Sequence, residues 1–107
     1  MNYIAKTPQT PYYAVIFTSF LTDENDGYGE MGTEMYELAQ NQKGFLGFES
    51  VRNGMGISIS YWETLEDIKN WKANEAHLVA QTQGKAQWYQ SFKTRICKVE
   101  REYGFEK

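Results

Sequence analysis

A chain of 107 residues, 41% hydrophobic and 16% aromatic, has the length of one domain and enough apolar bulk for one core. Its net charge of −3 offers no broad basic surface, so nucleic acid is not an expected partner. Cys97 stands alone, which excludes an internal disulfide, and one histidine with one cysteine does not build a zinc site, so no metal is expected. No segment has the length of a membrane span. The opening MNYIAKTPQTP sets Lys6, Pro8 and Pro11 where a signal peptide needs an apolar run, so the expectation is a cytoplasmic protein with no membrane partner.

Residues 1–11 read as an irregular N-terminal arm, because Pro8 and Pro11 oppose both helix and central strand, and 12–107 read as a single domain. The run YYAVIFTSF from Tyr12 is a strand that is apolar on both faces, with Tyr13, Val15 and Phe17 on one and Tyr12, Ala14 and Ile16 on the other. The polar stretch 22–27 is a loop in which Asn25 or Asp26 is placed to cap a helix. Tyr28, Met31, Met35, Leu38, Ala39 and Gln42 recur at three- and four-residue spacing, which predicts an amphipathic helix over 28–42, with Gly44 as its C-cap. FLGFESVR (45–52) and ISISYW (57–62) are two strands joined through Asn53-Gly54-Met55-Gly56, a hairpin signal with a loop of up to four residues.

Thr64 then caps a second helix, with Asp67 three residues on. Leu65, Ile68 and Trp71 lie on its apolar stripe, Asn74 is a point of bending, and the helical pattern runs on through 76–83 towards Gly84. SFKTRICKVERE (91–102) closes the chain as a charged strand suited to a sheet edge. The order β-α-β-β-α-β is that of an α+β, ferredoxin-like fold with an antiparallel sheet. Two helices cover one face of a four-stranded sheet, yet the first strand is apolar on both. Packing of two copies through their sheet faces, a homodimer, resolves that mismatch.

Several blocks carry a resemblance: YYAVIFTS, GYGEMGTEMYELAQNQKGFLGFESVR, ISISYWETLEDIKNWKANEAH and WYQSFKTRICKVERE. Across 3–103 the chain resembles the antibiotic biosynthesis monooxygenase (ABM) family, and within it a small bacterial subgroup with GFLG-ES-R and SYW-W-H signatures. The resemblance implies a dimeric α+β barrel. It also implies chemistry without a cofactor, in which an electron-rich phenol or quinol in an apolar pocket loses a proton and passes an electron to dioxygen. Such a site needs an aromatic wall, a donor for the developing phenolate and exclusion of water. The superfamily also holds haem-degrading enzymes, isomerases and proteins without known activity, so the fold does not by itself name the reaction.

The candidate pocket lies between the strand face of Ser58, Ser60 and Trp62 and the helix carrying Trp71 and His77. Trp62 and Trp71 reproduce the nine-residue spacing of strand and helix tryptophans in the haem-degrading branch. Trp71 is expected as a wall of the site, with a core anchor beside Leu65 and Ile68 as the other reading. The histidine of the haem branch falls at position 81, which here is Gln81, and its first-strand asparagine has no counterpart in 12–20, so haem degradation is disfavoured. His77 titrates near working pH and is the candidate base, with a helix-capping or half-exposed histidine as the alternative. Ser58, Ser60 and Trp62 are candidate substrate contacts, with a solvent-facing strand surface as the other reading of the two serines, and Arg95 is a candidate partner for negative charge. Arg52 and Arg101 read as surface ion-pair residues, Trp88-Tyr89 as a plug at one end of the core, and Tyr28 and Tyr36 as helix-face aromatics. Cys97 reads as a small buried hydrophobe. The expected function is cofactor-independent, monooxygenase-like oxidation of a small aromatic or quinol. The alternative is a non-enzymatic dimer that binds a small hydrophobic molecule.

Overall fold

The computed structural model describes residues 3–82 and 85–107, with side chains described outside 77–86. The elements run β1 (Tyr12–Leu21), α1 (Tyr28–Gln40), β2 (Phe45–Asn53), β3 (Met55–Trp62), α2 (Leu65–Thr82), α3 (Lys85–Trp88) and β4 (Tyr89–Val99). The strands form one antiparallel sheet in the order β2-β3-β1-β4, the ferredoxin-like arrangement expected from the alternation of patterns.

Register follows from the period-2 alternation. Val15 stands opposite Ser60 on β3 and Ile96 on β4, and Phe17 opposite Ser58 and Thr94. Phe48 pairs with Ser60 across β2 and β3. These residues share the helix-facing side of the sheet. The hairpin is tighter than a four-residue loop: Asn53 pairs with Met55 across Gly54, whose φ of 80° is the left-handed value that glycine adopts without strain.

Helix α1 starts differently from the expectation. Gly27, at φ 87°, occupies the N-cap with no side-chain cap, while Asn25 donates its amide to Thr22 O at 2.7 Å and Asp26 O accepts from Trp88 Nε1 at 2.8 Å. At the other end Asn41 is the C-cap, and Gly44 (φ 84°) turns the chain into β2 beneath Asp67. In α2 the Thr64 cap is as read, with Asp67 N–H donating to Thr64 Oγ1 at 3.0 Å. The helix runs unbroken past Asn74, whose amide donates to Asn70 O and to Gln42 Oε1 on the neighbouring segment. No helix among the described residues is long and apolar enough to cross a membrane.

The core occupies one end of the helix-facing side. Trp62, fully buried at 0% exposure, stacks on Trp71 with ring centroids 5.7 Å apart, and Phe45 meets Trp62 edge-on at 5.5 Å. Val15, Ala39 and Ile68 complete this cluster. On the outer face Tyr12 and Ala14 are buried, and the chain's two ends meet at the Tyr12 hydroxyl. The arm, without regular structure from Tyr3 to Pro11, donates Ala5 N–H to Glu49 Oε2 at 2.9 Å and lays Ala5 against Gly47. The Tyr12 hydroxyl donates to the Glu102 carboxylate and bonds Thr7 at 2.7 Å, and the Tyr61 hydroxyl donates to Glu49 Oε1 at 2.7 Å. Farther along this face Val51 is 66% exposed. Cys97 is exposed rather than buried, because it sits on the edge strand β4.

Candidate functional site

Between the sheet and the helices lies a cavity of about 590 Å3. That is within the ~300–1,000 Å3 range of small-molecule sites. Its cause is a size gradient along β3. Of the three residues aimed at the helices, Ser58 and Ser60 are small and Trp62 is large. The stacked Trp62–Trp71 pair props α2 off the sheet at one end. At the other end a second aromatic group, Trp88, Tyr28 and Tyr89, stands between α3, α1 and β4, with Tyr28 5.8 Å from Trp88 and 5.6 Å from Tyr89 by ring centroids. Phe17 adds an edge contact to Tyr89 at 5.5 Å. Between these two supports the floor is Val15, Phe17, Phe48, Ser58, Ser60 and Thr94. Met31, Met35 and Gly32 of α1 and Trp71 and Ala76 of α2 form the roof.

Polar groups in this wall are few. Ser60 Oγ accepts the indole N–H of Trp62 at 2.9 Å, so its own proton is the one it can offer to the cavity. The hydroxyls of Ser58 and Thr94 meet no partner among the described residues. Lys72 and Glu75 line the cavity where it opens to solvent and are paired at 2.9 Å.

The far end holds a connected polar set. Arg52 Nη2 donates to Ser19 Oγ at 2.7 Å and to Tyr28 Oη at 3.3 Å, and Nη1 donates to Ser19 O at 3.4 Å and Gly54 O at 3.3 Å. Its guanidinium carbon lies 5.4 Å from the centre of the Tyr28 ring. Gly56 makes room for it, since a Cβ there would come within 2.2 Å of the guanidinium. Burial, a hydrogen bond to Tyr28, and the charges of Tyr28 and Glu75 hold the Tyr89 hydroxyl well above the usual tyrosine range, so it stays protonated.

The residues singled out in the sequence separate as follows. Ser58, Ser60 and Trp71 come together on the cavity wall, and Trp71 is at once core and wall. Trp62 is sealed behind Trp71 and bonds Ser60 instead of facing the space. Arg95 pairs with Ile16 on the outer face, and its neighbour Thr94 takes the place in the wall. His77 follows the wall residue Ala76 in α2, and its side chain lies outside the described residues. Tyr28, Tyr89 and Thr94 line the cavity although no such part was expected of them, and Arg52, read as a surface ion-pair residue, supports Tyr28. Two signals pointed there. Arg52 has the same strand phase as Phe48, and β4 takes its phase from β1.

Comparison with known proteins gives a consistent result. The chain is 44% identical over 108 residues to the uncharacterized protein YqjZ of Bacillus subtilis (strain 168), covering 99% of this chain and 95% of that one. SnoaB, a cofactor-independent oxygenase from Streptomyces nogalater, superposes with a TM-score of 0.66 at 7% identity over 92% of this chain and 100% of its own. A conserved protein from Methanosarcina mazei Go1 has a TM-score of 0.66 at 8% identity, over 86% of this chain and 94% of that one. At such identities these two likenesses show a shared fold. The family model described as antibiotic biosynthesis monooxygenase matches residues 11–83, and with it the chain belongs to the ABM family.

Proposed function

We propose that this protein is a cofactor-independent, monooxygenase-like enzyme that oxidises a small aromatic phenol or quinol in the cavity between sheet and helices. The observation that carries the reading is the cavity itself, about 590 Å3, walled by aromatic and methionine side chains and supplied with a few hydroxyls. An apolar enclosure keeps water from the anion formed when the phenol loses its proton, and that anion is what passes an electron to dioxygen. Trp71 gives a flat wall against which a planar ring stacks, and Ser58 and Ser60 give hydrogen bonds to its oxygens. His77 is the proton acceptor we assign, on the chemistry of imidazole. The likeness of fold to SnoaB supports this class of chemistry.

Oxygen consumption with a panel of quinols and anthrones is the test. Turnover with at least one of them, reduced at least tenfold in Trp71→Ala and His77→Ala, supports the reading. Ligand binding without oxygen uptake favours a second one, a non-enzymatic binding protein. The observation on its side is that the charged side chains in the described wall, Lys72 and Glu75, are paired with each other.

We also assign a homodimer formed through the outer sheet faces. Val51, Ile57 and Ile59 lie on that face, and Val51 is largely uncovered. Sedimentation should give a dimer, and Ile59→Asp should give a monomer; a natural protein that sediments as a monomer refutes the assignment.

A further inference from the structure

The polar set at the far end of the cavity has a direction. A phenol hydroxyl both accepts and donates a hydrogen bond. Tyr28 Oη accepts from Arg52 Nη2 at 3.3 Å, and the Tyr89 ring packs against the Tyr28 ring at a near-perpendicular 89° with centroids 5.6 Å apart. A guanidinium only donates, so Arg52 cannot take the Tyr28 proton, which is left for another group. The ring lies on the cavity wall, with Trp88 and Tyr89 around it.

We propose that Tyr28, fixed by Arg52 and Tyr89, donates a hydrogen bond to a carbonyl or phenolate oxygen of the ligand held in this cavity. The site thereby selects ring systems that carry an acceptor oxygen at one edge over the bare hydrocarbon. Arg52 is a positioning residue, acting on the ligand through Tyr28, and Gly56 makes room for Arg52 to do so. The inference rests on the cavity being the ligand site.

The test uses two probes with one ring frame, 9-fluorenone and fluorene, which differ by the carbonyl oxygen. Their affinities for the purified full chain are measured by equilibrium dialysis, and the carbonyl stretch of bound fluorenone by infrared difference spectroscopy. One hydrogen bond to a neutral acceptor corresponds to a preference of about tenfold for the ketone, with its carbonyl band displaced to lower frequency. Tyr28→Phe keeps the ring contacts and should abolish both the preference and the displacement, with fluorene bound as before. Arg52→Gln and Gly56→Ala should each shrink the displacement without abolishing it; a packing role alone would not move the band. If Tyr28→Phe retains the preference and the band position, the proposal is overturned. If the natural protein binds both probes equally, the Tyr28 assignment fails and the cavity reading stands. If it binds neither, both fail. Should Tyr28→Phe not fold, a carbonyl displacement in Arg52→Gln and Gly56→Ala as large as in the natural protein overturns the positioning argument by itself.

Discussion

Gly32 offers a way to separate stability from occupancy at the cavity. It sits in the second turn of α1 and lines the cavity, and a Cβ built on it meets nothing within 4 Å. Glycine inside a helix costs about 1 kcal/mol relative to alanine, from backbone entropy with no compensating contact. Gly32→Ala should therefore stabilise the protein by about 1 kcal/mol, which for a domain of this size raises Tm by about 4 °C. Gly32→Phe keeps roughly half of the propensity gain and sends its ring into the cavity, where an aromatic side chain buries ~150–250 Å2. It should be at least as stable as the natural protein and bind neither fluorene nor any substrate. Thermal unfolding by circular dichroism and fluorene dialysis read the two effects separately. Unchanged fluorene affinity in Gly32→Phe would show that ligands sit elsewhere. A lower Tm in Gly32→Ala would show that the space above α1 is not open.

Gly44→Ala should act in the opposite direction. A residue with a side chain is strained at φ 84°, and its Cβ would come within 2.0 Å of Asp67 Oδ2, so urea unfolding should show a loss of about 2 kcal/mol or more. A loss under half of that would mean the buried Asp67 swings aside freely. Ser60→Ala removes the hydrogen-bond partner of the fully buried Trp62 indole and should cost about 1–3 kcal/mol, whereas adding it to Trp62→Phe should cost much less. Additive losses in that double-mutant cycle would disprove the coupling. Burial and the hydrogen bond to Glu49 hold Tyr61 above its ordinary pKa of 10.0, and burial and Tyr28 do the same for Tyr89. The folded state then keeps protons that the unfolded chain has lost, so stability is full below about pH 10 and falls as pH rises from there. Tyr61→Phe and Tyr89→Phe should each flatten that fall, as read by urea midpoints at successive alkaline pH; slopes equal to that of the natural protein would refute it.

Much of the fold was legible because its signals are local. The alternation in ISISYW, the Thr64 cap and the glycine at the hairpin each depend on a few neighbouring residues, and each is found in place. Where long-range contacts decide, the reading departed. Asn25 and Asp26 were sensible caps, but Trp88 claims the Asp26 carbonyl from 62 residues away, and Gly27 takes the cap. Asn74 was a candidate break, yet Gln42 accepts its amide and the helix continues. Arg95 and Thr94 are neighbours in sequence on opposite faces, and only the pairing with β1 says which one faces the cavity. The same holds for Tyr28 and Arg52, which meet because α1 is laid over the end of β2.

The cavity stands open because two groups of aromatic rings hold the helices off the sheet, at Trp62–Trp71 and at Trp88–Tyr28–Tyr89. Most of the residues in its wall carry none of that weight. Ser58 and Thr94 can therefore be exchanged for other small side chains with small effects on folding, whereas Met31, which is buried, and Met35, which packs against the core cluster, are tied to stability as well. A scaffold supported in this way separates the inheritance of a fold from the inheritance of a ligand. Descendants keeping the two supports can take up new molecules one lining substitution at a time, each passing through a stable protein.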